Sequence, residues 1–178
     1  FSYFNRNAVF TQGVEADVTY LLSNTLEMGG GIQYLQAKDV DEWNKIKDGR
    51  VYTRNPESGT TIAVKRRDYG GLFNRSKYMA NARISYFEIH TGIRLSLRWN
   101  YRGRYGIRDT DGNGIVNLDN EYVKGYSLFN ASISKSFFNK RLRLQFTADN
   151  IFDFTNKEYI SHLPGRLMYG GLSYSFSK

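Results

Sequence analysis

The chain has 178 residues, of which 40% are apolar, 16% aromatic and 24% charged, with 2 prolines and no cysteine. This balance excludes a disordered or collagen-like chain, and without cysteine there are no disulfides or thiolate metal sites. The net charge of +8 suits nucleic acid, an anionic lipid surface or an acidic ligand alike, while a mean hydropathy of −0.55 and the lack of any apolar run of about 18 residues exclude a membrane helix but not a membrane β-barrel.

Apolar and polar residues alternate with a period of two in seven segments, the pattern of strands with one apolar face. In Gly13–Leu21, Val14, Ala16, Val18 and Tyr20 alternate with Gly13, Glu15, Asp17 and Thr19. In Leu26–Ala37, Leu26, Met28, Gly30, Ile32 and Tyr34 alternate with Glu27, Gly29, Gly31 and Gln33. Lys77–Tyr86 sets Tyr78, Ala80, Ala82, Ile84 and Tyr86 against Lys77, Met79, Asn81, Arg83 and Ser85. The fourth segment sets Ile93, Leu95, Leu97, Trp99 and Tyr101 against Arg94, Ser96, Arg98, Asn100 and Arg102. Ser127–Phe137 alternates Phe129, Ala131 and Ile133 with Asn130, Ser132, Ser134 and Ser136, and Lys135 breaks its apolar face. Leu142, Leu144, Phe146 and Ala148 then alternate with Arg141, Arg143, Gln145, Thr147 and Asp149. In the last segment Met168, Leu172, Tyr174 and Phe176 alternate with Tyr169, Ser173 and Ser175 around Gly170 and Gly171.

Segments of about 10 to 12 residues, tilted near 45°, cross roughly 25 Å, the height of an outer-membrane apolar band. Aromatic residues on the apolar face fall at the segment ends. Tyr20, Tyr86, Phe137, Tyr174 and Phe176 mark one end, and Tyr34, Tyr78, Trp99 and Tyr101 mark the other, as interfacial girdles require. Connections alternate between short (Leu22–Thr25, Phe87–Gly92, Phe138–Lys140) and long (Lys38–Ser76, Gly103–Tyr126, Asn150–Arg166). Pro56 and Pro164 both lie in long connections. Short turns on the periplasmic side and long loops outside make the outer-membrane pattern. The seven strands are odd in number, whereas closed single-chain bacterial barrels usually have an even count. With Phe1–Val9 read as the tail of a preceding long loop, the chain is expected to be the last third of a larger barrel. A soluble β-sandwich with aromatic edges is the competing architecture.

The run Phe146-Thr147-Ala148-Asp149-Asn150-Ile151-Phe152-Asp153, then Pro164-Gly165-Arg166, then Gly171-Leu172-Ser173-Tyr174-Ser175-Phe176 resembles the C-terminus of TonB-dependent outer-membrane receptors. Gly13-Val14-Glu15, Asn74-Arg75-Ser76-Lys77-Tyr78-Met79 and Tyr101-Arg102-Gly103-Arg104-Tyr105-Gly106 resemble the same family, in particular its Bacteroidetes members. The family usually ends on the aromatic, whereas here Ser177-Lys178 follow Phe176. The resemblance implies an all-β fold, with residues 1–178 forming an antiparallel transmembrane segment of about seven strands within a barrel of about 22 strands plugged by an N-terminal domain. It implies TonB-driven uptake of a scarce ligand (iron chelate, haem, cobalamin or glycan) across a Gram-negative outer membrane, and no enzymatic activity. The implied partners are the plug domain and remaining strands, outer-membrane lipid and lipopolysaccharide, TonB acting through the plug, a surface lipoprotein and the barrel-assembly machinery. That machinery would read the final strand at Leu172, Tyr174 and Phe176. The alternative is a small autonomous barrel with a structural or adhesive role, its eighth strand within Phe1–Val9.

Arg94, Arg98, Arg102, Arg141 and Arg143 lie on the polar side of their segments, as do Glu15, Asp17 and Glu27. As a set they argue for a wet interior facing a plug or an anionic ligand. Taken singly, each reads as a solvated residue balanced by local ion pairs worth about 0–1 kcal/mol. Asp109-Thr110-Asp111-Gly112-Asn113-Gly114 matches the D-x-D-x-N-G opening of a calcium loop, whose hard oxygens at alternate positions wrap the ion. The twelfth position, where a bidentate Glu is usual, is Asn120, so Asp119 or Glu121 would have to close the shell. The same residues also read as paired Asp-Gly and Asn-Gly turns. His90 and His162 are isolated, and Lys65-Arg66-Arg67 is a basic loop cluster facing solvent or lipopolysaccharide phosphate. No phosphate loop, nucleophile elbow or acid/base pair occurs. Arginines and aromatics occupy opposite faces, which argues against nucleic acid.

Overall fold

The computed structural model describes residues 8–55 and 58–176. In chain order the elements are β1 (Val9–Leu21), β2 (Leu26–Asp39), α1 (Val40–Lys47), β3 (Tyr52–Arg54), β4 (Thr61–Ala63), β5 (Tyr78–Glu88), β6 (Ile93–Arg102), β7 (Tyr105–Gly106), β8 (Tyr122–Val123), β9 (Tyr126–Phe137), β10 (Leu142–Asp149) and β11 (Leu167–Tyr174). Single 3-10 turns cover Arg66–Asp68 and Asp119–Glu121. The seven long strands form one sheet in the order β1-β2-β5-β6-β9-β10-β11, and β3-β4 and β7-β8 form two-stranded ribbons. Chain neighbours among the long strands are therefore also sheet neighbours. The seven alternating segments of the sequence are these seven strands.

The residues divide into two compact units. One holds Glu15–Ile32, Met79–Arg102 and the chain from Tyr126 onward. Its strands pair antiparallel, with Ile84 opposite Leu97, Leu97 opposite Ala131 and Ile133 opposite Phe146. The same register puts Arg83 opposite Arg98, and Arg98 opposite Asn130. Because side chains alternate, this register makes one face aliphatic and the other polar across β5, β6, β9, β10 and β11, with Lys135 the interruption between Ile93 and Leu144. The aliphatic face is open, with Leu95, Leu97, Ile133, Leu144, Phe146 and Leu172 all exposed. Phe137, Leu142 and Tyr174 share one cross-strand row near the turns, as one aromatic girdle requires.

Tight turns close the hairpins of this unit. The Ser23 hydroxyl accepts the Thr25 and Leu26 amides at 3.2 and 3.1 Å. Gly92 adopts φ +68°, and Phe138, Asn139 and Lys140 adopt φ of 52°, 52° and 68°. Three successive left-handed residues let Arg141 N–H reach Phe138 C=O at 3.1 Å. Arg141, expected on the polar strand face, belongs to this turn instead.

The other unit holds the stretch up to Val14 together with Gln33–Tyr78 and Gly103–Gly125. Its small core joins Ile46 of α1 to Val51, Val64 and Ile115, with Tyr69 packed against them. Asp39 caps α1, its Oδ1 accepting the Asp41 and Glu42 amides at 2.9 and 3.1 Å. The helix and both ribbons go beyond the sequence expectation, which left these stretches as loop. β1 begins at Val9, earlier than the alternation from Gly13, and β11 ends at Tyr174, short of Phe176. Of the expected loop tail Phe1–Val9, residues 1–7 lie outside the described residues.

Candidate functional site

The polar sheet face carries most of the charged residues that the sequence singled out. Arg98 stands opposite Arg83 on β5 and Asn130 on β9. Like charges directly opposite repel, and Arg83 turns the other way. Its guanidinium meets Glu27 at 3.0 Å and the Thr19 hydroxyl at 3.1 Å. Glycine on β2 makes room for it, since a Cβ on Gly29 would lie 2.9 Å from Arg83 Nε. The sequence offered Glu15, Asp17 and Glu27 as partners for Arg94, Arg98, Arg102, Arg141 and Arg143. Glu27 pairs instead with Arg83, between strands separated by a long connection.

The remaining arginines make local contacts. Arg94 lies over the ring of Phe87, its direct neighbour, at 5.0 Å. Arg143 donates to the Ser134 hydroxyl at 3.0 Å, and Arg102 is half-buried. A shallow depression of about 190 Å³ lies on this face, lined by Arg98, Asn130, Gln145, Thr147, Asp149 and Tyr169. It is smaller than a typical ligand pocket of roughly 300–1,000 Å³. It suits a side chain or one edge of a ligand.

Beyond β10 the chain is tied down by Asn150. This buried residue accepts the Phe154 amide at 2.9 Å and donates to the Phe154 and Pro164 carbonyls at 2.8 and 3.2 Å. Asp153 accepts the Arg166 amide at 2.7 Å. The Asn-Ile-Phe-Asp run is thus the clasp of the last long connection. At the chain end, Tyr174 and Phe176 meet edge to face at 4.8 Å, and Leu172 and Phe176 are 71% and 90% exposed.

In the connection between β6 and β9, Asp109, Asp111 and Glu121 bring carboxylate oxygens within 4.8 Å of one another. Asp109 accepts the Gly112, Asn113 and Gly114 amides. Glu121 is fully buried and accepts four bonds, from the Thr110 amide and hydroxyl and from the Asn117 and Leu118 amides. Of the two residues weighed for the closing position, Glu121 takes the interior. Asp119 points outward and pairs with Arg104 at 3.1 Å. Arg104 also lies 3.8 Å over the Tyr122 ring, and burial raises the Tyr122 phenol above its ordinary value. Asn113 accepts the Ile115 amide and donates to Asn117.

The profile of the family described as TonB dependent receptor-like, beta-barrel, matches residues 1–151. The chain belongs to that family. This places it in the barrel of a Gram-negative outer-membrane receptor, within a family of receptors and transporters rather than enzymes. Two crystal structures of the ferric enterobactin receptor PfeA from Pseudomonas aeruginosa, each a mutant form, share its fold with a TM-score of 0.60 and 18% identity. Each alignment covers 93% of this chain and 22% of the receptor, so the chain spans about a fifth of that protein's length. No curated protein matches in sequence. For this TonB-dependent receptor barrel segment, the two faces of the sheet take on their meaning. The aliphatic face suits lipid and the polar face suits a wet lumen.

Proposed function

We propose that this chain forms the C-terminal part of the barrel wall of an outer-membrane active transporter. Its long connections would face outside, and its polar sheet face would line a lumen holding the plug. The observation that carries this reading is a seven-stranded sheet with one aliphatic and one arginine-bearing face, in a chain of this family. Among the described residues β1 and β11 are the sheet's edges, and since unpaired edges do not persist in hydrocarbon, the wall closes only with strands beyond these seven. That requirement speaks against a small autonomous barrel of these strands alone.

Uptake is driven by TonB acting through the plug. Of the expected cargoes, an iron chelate fits best, because Arg94, Arg98, Arg102 and Arg143 on the polar face favour an anion. Haem, cobalamin and glycans remain the comparison set. The test is accumulation of labelled ferric chelates, haem, cobalamin and oligosaccharides by cells expressing the full-length protein, with and without TonB. TonB-dependent accumulation of ferric chelate alone is the expected result. Equal entry of every solute regardless of TonB would mean a passive pore and overturn the reading.

A further inference from the structure

We infer that the connection between β6 and β9 holds one calcium ion, with Asp111 and Asp109 as its protein ligands and Glu121 behind them. The three carboxylates bring oxygens within 4.8 Å of one another. Calcium binds oxygens at about 2.3–2.6 Å, so the ligands of one ion lie no more than about 5 Å apart, and a single ion can span this set.

A second observation, independent of the clustering, points to a cation. Asp111 Oδ1 is closed off from solvent and, among the described residues, has no hydrogen-bond donor. The other oxygen of that carboxylate is fixed by the Thr53 hydroxyl at 2.6 Å and the Asn113 amide at 3.2 Å. An anionic oxygen buried without a donor is costly unless a cation faces it.

Charge balance agrees. Among the described residues, no Lys or Arg forms an ion pair with Asp109, Asp111 or Glu121. The nearby Arg104 pairs with Asp119, and Arg108 donates to the Asn120 carbonyl. Glu121 already accepts four hydrogen bonds, which use its acceptor capacity. It therefore fixes the loop and adds negative charge, leaving Asp111 Oδ1 as the unbonded protein ligand, the second lone pair of Asp109 Oδ2, which also accepts the Gly114 amide at 2.7 Å, as the other, and water for the remaining positions. Few protein ligands place the affinity in the weak extracellular range, a Kd of about 10⁻⁴–10⁻³ M.

The test is hydrogen–deuterium exchange over residues 107–123 of the detergent-purified full-length protein, in EGTA and in about 10 mM calcium, roughly ten times the weak end of that Kd range. Calcium is expected to slow exchange there about 10-fold or more, and Asp111→Asn to abolish that response while leaving exchange in EGTA near the parent rate. Identical exchange in the parent protein with and without calcium overturns the site. So does an undiminished calcium response in Asp111→Asn, which would place the ion elsewhere. The parent comparison decides without any variant if Asp111→Asn fails to assemble.

Discussion

Arg83 on β5 reaches Glu27 on β2 at 3.0 Å, away from Arg98, its direct neighbour on β6. The pair relieves an arginine–arginine contact across two strands and fixes the polar face where β2 meets β5. Both side chains keep more than a third of their surface open, so solvent screens the attraction. A double-mutant cycle with Arg83→Ala and Glu27→Ala should give a coupling below about 1 kcal/mol. A coupling of several kcal/mol would mean that the plug or lumen desolvates the pair in the assembled protein.

Neighbouring glycines on β2 should differ sharply in tolerance. A Cβ on Gly29 meets Arg83 Nε at 2.9 Å, a side chain able to swing aside, and its backbone contact with the Val18 carbonyl oxygen at 3.3 Å needs only a few tenths of an ångström of relief. A Cβ on Gly30 meets the Asn81 carbonyl oxygen at 2.8 Å, which is backbone and can move only if β2 and β5 separate. Gly29→Ala should cost no more than the ion pair, about 0–1 kcal/mol. Gly30→Ala should cost about 1–3 kcal/mol as overpacking. The temperature at which the folded form converts to the slow-migrating form on a gel would rank them, and equal losses would refute the backbone argument.

The strands were legible because a half-buried strand must alternate, and every sheet strand does so over several residues. What lay between the strands was harder. The cap of α1 was written as Asp39 followed three residues later by Glu42, yet an eight-residue helix shows too little periodicity to stand out. β3 and β4 are three residues each and exist only as a pair. Arg83 escaped notice as a pairing residue because its partner depends on how β2 and β5 align after a long connection. The Asp109–Gly114 spacing was visible, but Glu121 falls one position beyond the usual closing ligand. Only folding shows that it turns inward while Asp119 turns out.

Asn150 should govern the last long connection. Its side chain makes three hydrogen bonds from a buried position, and its φ of +50° suits Asn better than most residues. Asn150→Ala leaves the Phe154 amide and two carbonyls without their partner and strains the backbone. A loss of about 2–4 kcal/mol of local stability follows. Limited proteolysis between Asn150 and Arg166 should then outpace that of the parent. Asn150→Gly removes the strain but not the lost bonds, and should be cut nearly as fast. Full protection in Asn150→Gly would assign the effect to φ alone.

Topology can be read by labelling single cysteines on intact cells with an impermeant reagent. Lys65, Lys124 and Lys157 are exposed positions in the three long connections, whereas Asn113 is half-buried and bonded and makes a poorer probe. Cysteine at the three lysine positions should label, and cysteine at Asn139, in the turn between β9 and β10, should label only after the outer membrane is breached. Labelling of Asn139→Cys alone would turn the sheet over.

Phe176 separates two roles for the chain end. It is 90% exposed and stands beyond β11, touching Tyr174 at 4.8 Å. As an interfacial anchor, its truncation to Ala removes one aromatic from lipid contact, about 1–3 kcal/mol by buried area. That loss is too small to unfold a large barrel, whose wall is held by backbone bonds along every strand. If Leu172, Tyr174 and Phe176 are read during assembly, the same change should lower the amount of receptor in the outer membrane several-fold. The receptor that does assemble should stay within a few degrees of the parent in thermal stability. Quantifying surface receptor beside the melting temperature of the purified protein separates the two effects. Normal surface levels with a modestly lowered melting temperature would leave Phe176 as an anchor and remove the assembly role.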